Sequence, residues 1–137
     1  KENKKRKKID LNRIKHARIL MIKNSDIGKE LLKQLLIEKG CTVETAEGSL
    51  EGFLAIKKRR INMVVADMDG PGMNNISFWK KCREINPKLI TVGLMEVKNA
   101  GEHSHMIEHN PDLIIPKPYN IKEAVKNILE LFMVMYE

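Results

Sequence analysis

At 137 residues, 42% hydrophobic but only 4% aromatic, the chain has the length of one domain with an aliphatic core of Leu, Ile, Val and Met. No apolar run approaches the ~20 residues a membrane-spanning helix needs, which excludes such a helix from this stretch. The formal net charge of +7 is local, because residues 1–18 carry nine Lys/Arg against two Asp/Glu and the remainder carries sixteen of each.

The chain starts at Lys1 rather than Met and is read as a piece of a longer protein. Lys4-Lys5-Arg6-Lys7-Lys8 reads as a solvated basic leader or linker over residues 1–16. No aromatic interleaves the run, so it offers no stacking platform and nucleic acid is not the expected partner. Arg18-Ile19-Leu20-Met21-Ile22 is the first strand, buried on both faces. Ser25 or Asp26 then caps a helix in which Ile27, Leu31, Leu32, Leu35 and Leu36 form an apolar stripe. Gly40 ends that helix in the left-handed position past its terminus. Cys41 to Ala46 alternates and is β-rich, as an outer strand would be.

A second helix runs from Ser49 to Arg60, its last turn Lys57-Lys58-Arg59-Arg60 suiting the negative end of the helix dipole. Met63-Val64-Val65-Ala66 is an apolar, β-branched run that ends on Asp67 and passes at once into Gly70-Pro71-Gly72. A carboxylate thus falls at the carboxyl end of a buried strand, the edge where open α/β folds collect their sites. A helix from Asn75 to Ile85 faces Ile76, Phe78, Trp79 and Cys82 inward, and Asn86-Pro87 closes it. Leu89 to Met95 is the fourth strand, interrupted by Gly93. A polar helix over Ala100–His109 has little apolar surface and is expected to pack least firmly. Asp112 to Ile115 is the fifth strand, followed by Lys117-Pro118, and a last helix spans Ile121–Met135. Five strands alternating with five helices define an α/β domain with one parallel sheet between two helical layers.

Cys41 and Cys82 lack any CxxC spacing and read as reduced, buried thiols of a cytosolic protein. His105 and His109 are four apart, with His103 nearby, but no thiol or carboxylate cluster completes a metal set, so they read as an exposed polar face.

Two signatures carry a family resemblance. Asp67 is followed four residues later by Pro71-Gly72-Met73, and Lys117-Pro118 follows an apolar strand. From Arg18 to the C-terminus the chain resembles the receiver domain of two-component response regulators. The resemblance implies a flavodoxin-like, doubly wound (βα)5 domain over residues 17–137, with strand order 2-1-3-4-5. It implies a cytoplasmic, non-enzymatic phosphorelay module whose partners are a histidine kinase or phosphotransfer protein, or an output domain in the same chain. Asp67 would be the phosphoacceptor and Lys117 would steady the phosphoryl oxygens, beside a usually cis bond to Pro118. Mg²⁺ would screen the approach of carboxylate and phosphoryl, since two anions meet there.

Other positions depart from the family pattern. The acidic pair after the first strand is replaced by Lys23 and Asn24, the hydroxyl switch position by Met95 and the aromatic switch position by Ile114. Asp67 and Asp69 are the remaining acids for a metal, in the loop holding Pro71 and Gly72. The expected cofactor is therefore none or weakly held Mg²⁺. Lys23 is expected to take the metal position and pair with Asp67 alongside Lys117. The reading is an atypical receiver acting by protein contact, with a homodimer face over residues 100–135. Its alternatives are a competent phosphoacceptor at Asp67 and a flavodoxin-like ligand binder. Against the latter, Lys23-Asn24-Ser25-Asp26 is a poor flavin phosphate loop, and no Asp-x-His-x-x-Gly run is present for cobalamin.

Overall fold

The computed structural model describes residues 9–22, 27–68, 75–96 and 111–136. In chain order the described elements are α1 (Leu11–Ile14), β1 (Arg18–Ile22), α2 (Ile27–Glu38), β2 (Thr42–Ala46), α3 (Ser49–Lys58), β3 (Met63–Asp67), α4 (Asn75–Ile85), β4 (Ile90–Glu96), β5 (Leu113–Lys117) and α5 (Ile121–Met135). The five strands form one parallel sheet in the order β2-β1-β3-β4-β5. This is the doubly wound topology expected from the alternation.

Side-chain alternation divides the core in two. On one face Ile19 and Met21 of β1, Met63 and Val65 of β3, and Ile115 of β5 pack with α2 and α5. On the other, Leu20 and Ile22 of β1 and Val64 and Ala66 of β3 pack with α3 and α4, around Trp79. β3, the middle strand, is buried on both sides along its length, which is why its sequence is continuously apolar rather than alternating. Pro116 lies on β5, an edge strand, where its missing N–H costs the sheet nothing.

Helical packing refines the apolar stripes. In α2, Leu32 and Leu36 are fully buried, Leu35 is half-buried and Leu31 is 51% exposed. The inward line is Lys29, Leu32, Leu36, so of the expected stripe Leu32, Leu35 and Leu36 meet the core and Leu31 turns outward. In α3 the inward residues are Gly52, Ala55 and Ile56, while Leu50 is 78% exposed. Gly52 lets α3 lie close to β1, since a Cβ would stand 2.6 Å from Ile22 Cδ1 and the end of that side chain would have to shift. In α4, Phe78, Trp79 and Cys82 are buried as expected, and the Phe78 and Trp79 rings meet edge-on at 4.8 Å. In α5 Val125, Ile128, Leu129 and Phe132 all face the core.

Some features lie outside the sequence expectations. Residues 9–16, assigned to the leader, pack on the body: Ile14 of α1 is fully buried, and the Arg13 guanidinium donates to the Tyr136 carbonyl. One helical turn is too short to leave a periodic signature. Gly93 of β4 makes room rather than merely weakening the strand. A Cβ there would meet Met68 Sδ at 2.3 Å, because the Met68 side chain crosses β4 at that point. Gly40 sits at φ +111°, as its place past the end of α2 required. The basic run Lys4–Lys8, the Ser25/Asp26 cap, the Ala100–His109 helix and its histidines lie outside the described residues. No helix of the described residues is long and apolar enough to cross a membrane.

Candidate functional site

The site follows from the same alternation. Met63 and Val65 of β3 point to the α2/α5 side, and Asp67, two residues on, continues that line at the strand's carboxyl end. On β5, Leu113 and Ile115 point to the same side and Lys117 continues their line. Asp67 pairs in register with Leu94 of β4, and Leu94 with Ile115 of β5. Lys117 therefore starts two strands away, ~10 Å across the sheet, and its long stem spans β4. Its Nζ donates to Asp67 Oδ2 at 2.7 Å. The peptide bond from Lys117 to Pro118 is cis.

A second cation comes from the helical layer. Lys29, on the inward line of α2, is 3% exposed, and its Nζ lies 3.7 Å from Asp67 Oδ2. The same ammonium lies 3.4 Å from the carbonyl oxygen of Ile22, at the end of β1. Asp67 itself is 6% exposed. Two ammonium groups thus converge on one carboxylate oxygen, largely out of water, where charge pairing is much stronger than at the surface.

Lys29 was not among the expected site residues. A signal existed: it precedes Leu32 by three and Leu36 by seven, the spacing of one helix face. A lysine on that line has to bury its ammonium or break the packing. Lys23 and Asn24, expected to stand in for the acidic pair, lie outside the described residues, as do Asp69, Pro71 and Gly72. The two residues expected at the switch positions, Met95 and Ile114, are described. Met95 is buried in the cluster on the α3/α4 side, and Ile114 packs against the same cluster. Neither side chain carries a hydroxyl, so neither can hydrogen-bond an anion held at Asp67.

At the opposite edge, Thr91 and Asp112 close a polar network that is not part of the site. Asp112 Oδ2 accepts from Thr91 N at 2.8 Å and lies 3.0 Å from Thr91 Oγ1, while Asp112 N donates to that oxygen at 2.9 Å. Arg83 of α4 adds a donor to Thr91 Oγ1 at 3.1 Å. The two cysteines are free and buried, and burial pushes the Cys41 thiol up to about 11 and that of Cys82 to about 12. They are inert thiols at neutral pH.

An acid at the carboxyl end of the middle strand, paired with a lysine that precedes a cis proline on the edge strand, defines a receiver-type α/β domain. Comparison with known proteins makes the assignment. The model of the response regulator receiver domain family matches residues 19–129, and the chain belongs to that family. It is 24% identical over 114 residues to the sensor histidine kinase RcsC of Escherichia coli K12, covering 83% of this chain and 12% of that protein. It is 28% identical to the transcriptional regulatory protein CpxR homolog of Haemophilus influenzae, covering 82% of this chain and 48% of the relative. The chain thus spans about an eighth of the length of its RcsC relatives. Among solved structures, a CheY-like response regulator receiver domain protein from Methanospirillum hungatei superposes with a TM-score of 0.77 at 22% identity, over 87% of this chain and 95% of that one. A two-component response regulator from Clostridium difficile gives 0.78 at 17% identity, over 89% and 100%.

Receiver domains bind Mg²⁺ at the phosphorylation site, which in this chain would lie at Asp67. Mg²⁺ takes hard oxygen ligands in near-octahedral array. Among the described residues no group of three or more His, Cys, Asp or Glu can hold a metal. The carboxylate that would be its first ligand already faces two ammonium groups on one oxygen. The described donor set does not fit the ion.

Proposed function

We propose that this receiver domain of two-component signalling works as a protein-interaction module, with little or no Mg²⁺-dependent phosphoryl transfer to Asp67. The observation that carries this is a second ammonium at Asp67, that of Lys29 at 3.7 Å, in a site whose described donors do not fit Mg²⁺. Attack by a carboxylate on a phosphoryl group needs a free oxygen lone pair and a cation shared with the incoming phosphate. Here the ammonium groups bind the acid in its resting form. The apolar residues at both switch positions, Met95 and Ile114, point the same way, since they leave no hydroxyl to report an acyl phosphate.

The partner class is a histidine kinase or phosphotransfer protein, or an output domain in the same chain, in the cytoplasm. Matches to a segment of a sensor histidine kinase and to a transcriptional regulatory protein support both arrangements. The homodimer face would use α5, whose Val134 and Met135 are exposed apolar side chains. In this reading the receiver takes in residues 9–16, which pack on its body, and the basic run Lys4–Lys8 serves as a linker.

One observation favours the competent alternative: Lys117 donates directly to Asp67, as a phosphoacceptor site requires. Incubation with acetyl phosphate, or with beryllofluoride, in Mg²⁺ followed by intact-mass measurement or fluorine NMR decides between them. No adduct is expected. An adduct that disappears in Asp67→Asn would make the domain a working switch.

A further inference from the structure

The geometry points to Lys29 as a resident cation, supplied by the fold in place of a divalent ion. It deepens the reading of Asp67 as a site ill-suited to Mg²⁺, and rests on it. Lys29 is a chain-borne charge whose anchors among the described residues include the Asp67 carboxylate at 3.7 Å and the Ile22 carbonyl at 3.4 Å. These oxygens belong to β3 and β1, adjacent strands of the sheet. A carboxylate and a backbone carbonyl at one strand edge are hard oxygen donors of the kind a small divalent cation also takes. The ammonium occupies them with one positive charge and three N–H donors.

Placement explains why it stays. Lys29 stands on the line of Leu32 and Leu36, whose side chains are fully buried in the core cluster. Withdrawing the ammonium to water would require α2 to turn about its axis and expose that line. The hydrophobic packing of α2 therefore holds the charge against Asp67, and a mobile ion has to displace a group tethered to the core. The pocket's electrostatic state is then set by folding and does not respond to the concentration of divalent cation.

Three measurements test this on the whole chain. The first is the thermal melting of the wild-type protein in MgCl₂ against sodium chloride of matched ionic strength. The two curves are expected to coincide. A saturable rise of several degrees with Mg²⁺ alone would overturn the proposal, because a ligand that binds only the folded state raises its melting temperature. The second is Lys29→Glu, which puts a carboxylate where the ammonium stood. It is expected to be destabilised without divalent ion and to regain several degrees on adding Mg²⁺. Equal melting with and without the ion would count against Lys29 as the group that excludes it. The third does not depend on that variant folding. A double-mutant cycle of Lys29→Met and Asp67→Asn is expected to give coupling of at least about tenfold in the folding equilibrium. Additive effects would remove Lys29 from the site. Phosphorylation of Asp67 without Mg²⁺ would defeat the proposed function yet leave the resident cation standing, whereas an uncoupled Lys29 would do the reverse.

Discussion

The two edges of the sheet handle buried polarity in opposite ways. At the amino edge, Thr91 and Asp112 exchange hydrogen bonds at 2.8 to 3.0 Å between the start of β4 and the residue before β5, and Arg83 completes the group. Nearby, Asn62 accepts from Arg18 N and donates to the His16 carbonyl, both at 2.9 Å, joining the residues before β1 and β3. These groups cap the ends of neighbouring strands and satisfy one another locally. At the carboxyl edge the partners of Asp67 come from β5, across an intervening strand, and from α2, in another layer. The first arrangement closes a seam between adjacent strands. The second ties a helix and two strands to a single charge, so a disturbance of that charge is felt across the layers.

The largest expected effect falls on the carboxyl edge. Asp67→Asn removes the charge that Lys29 and Lys117 share and should lower stability by about 3–5 kcal/mol, measured by urea unfolding followed through Trp79 fluorescence. A loss below about 1 kcal/mol would erase the distinction between the edges. Thr91→Val at the amino edge strips a hydroxyl from its network and should cost about 1–3 kcal/mol. Because the edges share no partner among the described contacts, the two changes together should add to within about 0.5 kcal/mol.

The pair of cysteines gives a further probe, Cys41 apart from both networks and Cys82 beside Arg83, whose charge partly offsets the effect of burial. Burial raises both thiol pKa values above 9.0, to about 11 for Cys41 and about 12 for Cys82. The folded state therefore keeps protons that the unfolded chain gives up above pH 9.0. Their contribution is intact below that pH and is lost as pH climbs toward 11 to 12, at about 1 kcal/mol per thiol by one unit above 9.0. Urea unfolding of the wild type and of Cys82→Ala across this range measures it, the variant showing the shallower fall. The smallest effect is expected at Leu50 on the outer face of α3. Leu50→Ser should change stability by less than about 0.5 kcal/mol, and a larger loss would mean that this face is covered.

Much of this was legible in the residues. The run from Met63 to Asp67 declared a strand buried on both faces, because only the middle of a parallel sheet has no wet side. Asp67 was legible from its place at the end of the apolar run, and Lys117 through the family resemblance that Lys117-Pro118 helps to carry. The strand period of two then dictates that they lie on the same side of the sheet. The exposure of Leu31 and Leu50 was not legible, since an apolar residue at the margin of a stripe looks the same whether it faces the core or water.

What the chain determined by itself was the order of its elements, their layers and the strand edge at which its acid stands. Those depend on local periodicity and on turn residues, which are properties of short stretches. Only the tertiary structure decided which cation meets that acid from the helical layer. A residue's direction on a helix changes by ~100° per position, so the rotation of α2 against the sheet, set by the packing of Leu32 and Leu36, selects Lys29. That rotation is a property of the assembled core, and no single stretch of sequence carries it.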